Sequence, residues 1–216
     1  MSKAHAPRNG SMQFWPRKRS KHSFVRTRSF TTSKDAKPLG FVGYKAGMTH
    51  VMMIDNRGKS TTAGDKISVP VTIVECPEMF ALGAAFYEKS ANGKLRKVAD
   101  VFASEIPKDW RKIASMRVPL AKKHPKSLTD ITEFDHVRLI VCSRPGMTTT
   151  DAKKPQVVEV DLGVGKDAAL TYITEKLGKE ISANDAFAAG DVVDIHAITK
   201  GKGFQGTVKR YGVMMT

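Results

Sequence analysis

Short runs of apolar and β-branched residues begin at position 39 and predict a body built mainly from strands. The runs Leu39–Lys45 and Thr49–Asp55 flank Gly47, which predicts a hairpin. Further strands are predicted at Ile67–Cys76, Phe80–Tyr87, Val137–Ser143, Gln156–Leu162 and Val192–Thr199. Turns are predicted at Asn56–Lys59 and Asn92–Gly93. Pro70 cannot donate a hydrogen bond to a neighbouring strand, so its strand is expected to lie at an edge or to contain a bulge.

Helical periodicity is confined to the C-terminal half of the chain. The segment Asp167–Leu177 repeats apolar residues every four positions and ends before Gly178, which predicts an amphipathic helix. Ser182 followed by Asp185 resembles a capping box and predicts a short helical turn that stops by Gly190. Many short strands with few helices predict a mainly β protein with some α, in which a small barrel carries a helical excursion.

Charge is distributed unevenly, with an excess of basic residues at both ends of the chain. Residues 1–50 contain 11 Lys and Arg and a single acid, Asp35, whereas residues 196–216 contain four Lys and Arg and no acid. The 145 residues between them contain 21 basic and 20 acidic residues. Residues 1–37 also lack apolar periodicity, so they are predicted to be a basic arm that cannot fold alone. A near-neutral body with two cationic ends indicates a polyanionic partner.

A second basic stretch interrupts the predicted strands. Residues 89–126 contain 11 Lys and Arg against three acids, with three prolines and weak periodicity. We interpret this stretch as the start of a basic excursion from the body, spanning about residues 89–136. The alternative interpretation is a solvated surface loop. The predicted organisation is therefore an arm at 1–37, a barrel body at 38–205 and a C-terminal segment at 206–216.

The arm has the composition of an RNA-binding segment. Within Trp15–His22, four cations fall in six residues, and lysine and arginine bind phosphates by releasing condensed counterions. Aromatic residues lie between the charges, and Trp15 is suited to stacking on unpaired bases. A localisation signal or a solvated tail is the alternative. RNA contact is favoured because the arm leads directly into a folded body.

The second candidate site is the glycine-rich segment Lys200–Gly206. Its glycines match the spacing of the dinucleotide fingerprint and, with Val208, that of the kinase glycine loop. Both patterns require a structural context. Thr207–Tyr211 is a poor helix start for the first, and the few residues given after Val208 do not contain the catalytic parts of the second. A phosphate-backbone clamp fits better, because glycines allow backbone N–H groups to approach phosphates closely. A tight turn with exposed lysines is the remaining alternative.

The candidate RNA contacts therefore come from both ends of the chain and from one position in the body. They are Arg8, Trp15, Arg17, Lys18, Arg19, Lys21, His22, Arg26, Arg28, Lys45, Lys200, Lys202, Phe204, Lys209 and Arg210. Trp15 and Phe204 are expected to pack against RNA or against the entry point of the arm.

Other chemistry is not indicated by the sequence. Cys76 and Cys142 match no metal-binding spacing, and we expect them to be reduced thiols rather than a disulfide. The six histidines are scattered, and no carboxylate pair or nucleophile motif appears. No apolar run approaches the length of a membrane span, and the first residues contain no apolar stretch of the kind found in signal peptides. We expect a cytoplasmic protein without a cofactor, a metal or a catalytic activity.

Three segments together resemble the universal ribosomal protein L3 family of the large subunit, in its archaeal or archaeal/eukaryotic form. They are Arg8–Ser11 with Phe14–Arg19, Gly40–His50 and Asp194–Val213. The resemblance extends over essentially the whole chain, and the last segment is its most specific part. It implies an incomplete form of the family's six-stranded barrel, which is like that of translation elongation factors. It also implies binding to large-subunit ribosomal RNA near its 3′ end, a role in early assembly, and neighbouring ribosomal proteins as partners.

The family's chain continues where this sequence stops. The resemblance implies a long basic finger toward the peptidyl transferase centre, beginning just after Gly206–Val213, and a return that completes the barrel. This sequence contains the finger's root and ends at Thr216. We therefore expect a truncated gene, a split gene or part of a longer chain. An open barrel exposes strand edges, so our hypothesis is that a separate chain, or further residues, supply the missing strands.

The resemblance and the charge pattern favour a structural constituent of the large ribosomal subunit, located in the cytoplasm, that binds ribosomal RNA. Two alternatives belong to other classes: a nucleotide-binding enzyme that uses the Gly201–Gly206 loop, and a DNA-packaging protein. Equilibrium dialysis with nucleotides discriminates the first, and competition between ribosomal RNA and duplex DNA discriminates the second.

Overall fold

A computed structural model describes residues 7, 12, 15, 18–28, 30–104, 106–107 and 128–215 of the 216-residue chain. The chain divides into two compact units. One unit is residues 28–192 and contains all of the described strands. The other combines residues 1–27 with residues 193–216. Residues 1–27 of the N-terminal cationic end and the whole C-terminal one, residues 196–216, therefore belong to one unit, whereas Arg28, Lys34, Lys37 and Lys45 belong to the body unit.

The described elements are seven strands and three α-helices. The strands are β1 (Tyr44–Ile54), β2 (Lys66–Glu75), β3 (Met79–Lys89), β4 (Leu95–Phe102), β5 (His136–Cys142), β6 (Val157–Asp161) and β7 (Glu180–Ile181). The helices are α1 (Lys166–Lys176), α2 (Ala183–Ala186) and α3 (Thr207–Tyr211). The prediction of a mainly β protein with some α is confirmed.

The strands form two antiparallel sheets. β1 and β2 pair only with each other among the described strands, and the second sheet has the order β4-β3-β5-β6 with β7 paired to the start of β3. Both sheets are open, in agreement with the expectation of an incomplete barrel. β2 is an edge strand, and the Cα partner of its Pro70 is His50. The prediction that the strand containing Pro70 lies at an edge is therefore confirmed.

The central strand of the larger sheet is β3. Its residues from Met79 to Tyr87 are buried on both faces, which explains why the strand reads as a continuous apolar run. On one face, Phe86 and Leu139 pack in a cluster with Ile173 of α1. On the opposite face, Phe80, Leu82 and Ile140 are members of a second cluster. The core of the body therefore lies on both sides of β3.

The predicted hairpin at Gly47 is wrong. β1 runs without interruption through this position, and the register shifts between Lys45 and Gly47, as in a β-bulge. A glycine within a strand pattern often marks a β-bulge and does not by itself indicate a turn. The turn predicted at Asn56–Lys59 is confirmed in the connection from β1 to β2, where the Arg57 guanidinium donates two hydrogen bonds of 2.9 Å to Asp55.

Part of the predicted basic excursion belongs to the sheet. β4 pairs with β3 along its length, and its basic side chains are neutralised by acids: Arg96 contacts Glu88 at 2.9 Å, and Lys97 contacts Glu159 at 2.6 Å. These pairings allow a charged segment to form a strand with weak apolar periodicity. The stretch 108–127 of the predicted excursion lies outside the described residues.

Among the predicted C-terminal elements, the two helical ones are confirmed and the strand is not. The helix predicted at Asp167–Leu177 is confirmed as α1, and the predicted capping box of Ser182 and Asp185 is present at α2. The strand predicted at Val192–Thr199 is wrong, because these residues have no regular structure. Their alternation satisfies the side-chain pattern of a strand, but a strand also needs a neighbouring backbone, and no described strand pairs with them.

Candidate nucleic-acid interface

Residues 28–39 form the arm root, the segment through which the basic arm joins the body. The root lies along the open edge of β6: Leu39 donates a backbone hydrogen bond of 2.9 Å to Asp161, and Ser33 donates one of 2.7 Å to Gly163. Gly163 has a φ of +67°, and a Cβ there would lie 2.5 Å from Leu39 Cδ1. The glycine therefore permits the close approach, and the arm root covers a strand edge that would otherwise be free.

The arm itself presents its charges to solvent. Five of its cations are described and exposed: Lys18, Arg19, Lys21, Arg26 and Arg28. None of them forms an ion pair with a carboxylate in the part of the chain that the structure describes. Cations without acidic partners are available to phosphates without first breaking an internal contact. Arg8 and Arg17 lie outside the described residues.

The aromatic residues of the arm lie among these cations. The rings of His22 and Phe24 are 5.4 Å apart and tilted by 34°. Ser20 Oγ donates a hydrogen bond of 2.6 Å to the carbonyl of His22, which forms a local turn. Trp15 has 53% of its surface exposed, and its backbone N–H donates to the Met12 carbonyl. The arm thus combines flat rings with free cations, as single-stranded RNA recognition requires.

The glycine-rich segment forms an exposed turn followed by a short helix. Gly203 has a φ of +63°, and Gly206 is the residue before the first turn of α3. A Cβ at Gly201, Gly203 or Gly206 would meet no atom within 4 Å, so no packing constraint requires glycine at these positions. Phe204 is fully exposed. The exposed Phe204 ring, with glycines and lysines next to it in sequence, is suited to contact a flat ligand such as a base.

Four cations surround this turn. Lys200, Lys202, Lys209 and Arg210 are exposed, and none pairs with a carboxylate among the described residues. The Arg210 guanidinium lies 5.4 Å from the centre of the Tyr211 ring. Free cations at an open glycine turn can bind a phosphate backbone without a closed pocket.

The residues that follow the glycine-rich segment form a helix, which the sequence did not predict. Thr207–Tyr211 is helical, although its sequence reads as a poor helix start. A glycine turn followed by a helix is one part of a dinucleotide-binding unit, but that unit also needs a strand immediately before the turn. The described residues 191–205 form no strand, and the helix is only five residues long. The nucleotide-binding alternative therefore lacks its structural context here.

The remaining candidate, Lys45, is exposed on β1 and has no acidic partner among the described residues. It belongs to the body unit, unlike the two basic segments. Some of the body's other described charges are paired with one another. Lys97, for example, lies between Glu159 at 2.6 Å and Asp100 at 3.0 Å.

A buried charge network in the body was missed by the sequence analysis. Arg138 of β5 contacts Asp161 of β6, and Asp161 also accepts a hydrogen bond of 2.7 Å from the His136 ring. The hydroxyl of Tyr87 donates to Glu159 nearby, and burial followed by this carboxylate raises the pKa of Tyr87 to about 12. The available signal was an arginine within the otherwise apolar run of β5, because such a buried charge needs partners.

The described residues hold no group of three or more possible metal-ligating side chains. Their two cysteines are free: Cys142 is buried, and burial raises the pKa of its thiol to about 12, while Cys76 is exposed. Within the described part of the chain, no helix has the length and apolar character needed to cross a membrane.

Comparisons with known proteins agree with the resemblance found in the sequence. The family model described as ribosomal protein L3 matches residues 1–216. Proteins named large ribosomal subunit protein uL3 are similar along nearly the entire chain. That of Archaeoglobus fulgidus is 41% identical over 98% of this chain and 64% of its own length, and that of Thermoplasma acidophilum is 40% identical over 100% and 65%. A Methanococcus maripaludis relative is 39% identical over 98% and 64%. The chain thus spans slightly less than two thirds of the length of these relatives, and it belongs to the ribosomal protein L3 family.

Proposed function

We propose that this chain is a structural, non-catalytic constituent of the large ribosomal subunit that binds large-subunit ribosomal RNA. In this role it supports assembly of the RNA and of the peptidyl transferase region, in the cytoplasm. The observation that carries the proposal is the pair of exposed basic segments, residues 18–28 and 200–210, whose cations lack acidic partners among the described residues. Membership of the L3 family supports ribosomal RNA as the polyanion.

The distribution of charge supports RNA over a small ligand. The nine described cations of the two segments extend over many residues and surround no enclosed cavity. Such an arrangement matches a phosphate backbone, on which each cation displaces condensed counterions independently of base identity. The exposed rings of Trp15 and Phe204 add contacts that suit unpaired bases.

Further polypeptide is the second class of partner in this proposal. The two-stranded sheet of β1 and β2 exposes a set of large apolar side chains. They are Met48, Val51, Met52, Met53, Ile54, Ile73 and Val74. A two-stranded ribbon is marginal in water without a packed face, and apolar exposure of this kind marks an interaction surface. Neighbouring ribosomal proteins, or a chain that supplies the family's remaining strands, would bury it.

The proposal is tested by measuring the affinity of the chain for a large-subunit ribosomal RNA fragment across a salt series. If six to ten phosphates are neutralised, log K falls linearly with log salt, with a slope of about −0.7 to −0.9 per phosphate. Competition with duplex DNA at matched salt and equilibrium dialysis with ATP, NAD and FMN provide the controls. We expect RNA to be preferred over DNA and no nucleotide to bind. An affinity for RNA that does not change with salt would refute the electrostatic basis of the proposal.

A further inference from the structure

Arg138 occupies an unusual position for an arginine. It lies in β5 between the buried residues Val137 and Leu139, and only 8% of its side chain is exposed. Its guanidinium lies over two aromatic rings, 5.2 Å from the centre of Tyr87 and 5.5 Å from that of Phe30. A buried guanidinium is costly unless its charge and its donors are satisfied. Arg138 Nε has no hydrogen-bond partner among the described residues, so the contacts of the rest of the group show what Arg138 holds in place.

Two of these partners belong to the arm root, more than a hundred residues away in the sequence. An Nη of Arg138 donates a hydrogen bond of 3.1 Å to the carbonyl of Arg28, and the guanidinium carbon lies over the ring of Phe30. Arg28 is the first residue of the body unit after the basic arm. The guanidinium therefore engages the chain at the point where the arm ends and the folded body begins.

The third partner supplies the opposite charge for Arg138. Asp161 Oδ2 lies 3.5 Å from Arg138 Nε, and Asp161 Oδ1 accepts a hydrogen bond of 3.0 Å from the Gly163 amide. Burial alone would raise the pKa of Asp161, but the hydrogen bonds from His136 and Gly163 and the nearby positive charges hold it below its usual value. The carboxylate is thus ionised at neutral pH. The backbone of the same residue accepts the Leu39 hydrogen bond, so Asp161 binds both Arg138 and the arm root.

We propose that Arg138 is a positioning residue for the RNA-binding arm: it fastens the arm root to the edge of β6 and so fixes the base from which the arm's cations reach RNA. This inference rests on the proposed function. A buried ion pair that only stabilises the sheet would need neither a bond to the main chain of Arg28 nor a second ring from Phe30. Arg138 makes both contacts, which a lysine could not reproduce, because lysine lacks the planar group and the forked donors.

The first test is amide hydrogen exchange in Arg138→Lys, which keeps the charge but loses the planar contacts. Arg96→Lys is the matched control, because Arg96 lies in the same sheet but makes an exposed ion pair. We expect the Ser33 and Leu39 amides to exchange about tenfold or more faster in Arg138→Lys only. The Ala103 amide, which donates to Leu82 in the body, should keep its protection. Equal rates for Ser33 and Leu39 in the two variants, or an equal acceleration at Ala103, would overturn the proposal.

A second variant keeps the test informative if Arg138→Lys fails to fold. Phe30→Leu removes the arm-root ring while leaving the Arg138 and Asp161 pair in place. We expect the same local acceleration at the Ser33 amide, with an unchanged thermal unfolding midpoint of the body. If Ser33 exchanges at the wild-type rate in Phe30→Leu, the guanidinium does not hold the root through this ring, and the proposal is wrong.

The RNA measurement separates this proposal from the proposed function. Arg138→Lys keeps every cation, so the salt slope should stay at its wild-type value, while the affinity falls by roughly 3- to 10-fold because the arm root must be ordered on binding. An unchanged affinity would refute positioning even if the root opens. If wild-type protein shows no salt-dependent RNA binding, the proposed function fails, whereas the exchange rates still decide whether Arg138 fastens the root.

Discussion

Neutralising the four cations around the glycine turn should remove a defined part of the RNA affinity. The change is the combined substitution Lys200→Gln, Lys202→Gln, Lys209→Gln and Arg210→Gln. These side chains are exposed and form no ion pair with a described carboxylate. Their replacement should therefore leave the stability of the body unchanged. Any loss of affinity then reports directly on lost phosphate contacts.

The size of the effect follows from the number of cations. Nine described cations that each bind one phosphate give a slope of log K against log salt of about −6 to −8, and the variant retains five, with a slope of about −3.5 to −4.5. Between 50 and 200 mM salt, the wild-type affinity should fall by about 10⁴ to 10⁵ and that of the variant by only about 10² to 10³. The difference between the two slopes is the diagnostic quantity.

The assay is fluorescence anisotropy of a labelled large-subunit ribosomal RNA fragment, titrated with protein at several salt concentrations. A matched control replaces four exposed lysines of the body that pair with no described carboxylate. These are Lys59, Lys94, Lys153 and Lys154, each changed to Gln. Both variants lower the formal net charge of +15 by four. We expect the control to keep the wild-type slope, because its lysines are remote from the basic segments in sequence.

An equal change of slope in the two variants would refute this reasoning. The affinity would then depend on net charge and not on the location of the cations. An unchanged slope in the variant of the glycine turn would also refute it, because the turn would then bind no phosphate.

Three further predictions address the arm root and the exposed ring. Gly163→Ala should destabilise the body by about 1–3 kcal/mol in urea unfolding, because the new Cβ would lie 2.5 Å from Leu39 Cδ1 at a position with a positive φ. Gly146→Ala is the control: a Cβ there meets no atom within 4 Å, so the free energy of unfolding should change little. Asp161 has a lowered pKa, so the stability it contributes is present above its unfolded pKa of about 3.9 and is lost as pH falls through its folded pKa. The stability gap between wild type and Asp161→Asn should therefore be largest near neutral pH and shrink below about pH 4; a gap independent of pH would contradict the assignment. Phe204→Ala should weaken RNA binding by about 1–3 kcal/mol without changing the thermal midpoint.

The sequence predicts those parts of the fold in which burial alone decides the structure. β3 reads as a strand because its side chains are buried on both faces, and α1 reads as a helix because one face carries the residues that meet the sheet. The capping box at Ser182 was likewise readable, because its two hydrogen bonds join residues three positions apart. Apolar patterns and hydrogen bonds between residues close in sequence can therefore be predicted from the sequence.

Elements that depend on distant partners were not predictable in this way. β4 is a strand that pairs with β3, and acids on β3 and β6 pair with its cations; Glu159 of β6 is remote in sequence. Residues 192–199 have a strand's alternation but no described partner strand. The contact of Arg138 with Arg28 spans 110 positions, so only the fold reveals it. The exposed cations of the candidate interface were predictable, because a free charge needs no partner from the chain.

The central claim is that the two basic segments contact RNA, whereas the lysines of the body chosen as controls do not. Lysine reactivity toward an acetylating reagent, measured by mass spectrometry with and without a large-subunit ribosomal RNA fragment, tests it most directly. We predict that the RNA protects the lysines of the basic segments and leaves those of the body reactive. The lysines expected to be protected are Lys18, Lys21, Lys200, Lys202 and Lys209, and those expected to stay reactive are Lys59, Lys94, Lys153 and Lys154. Protection of the second group, or equal reactivity of both groups with and without RNA, would contradict the account.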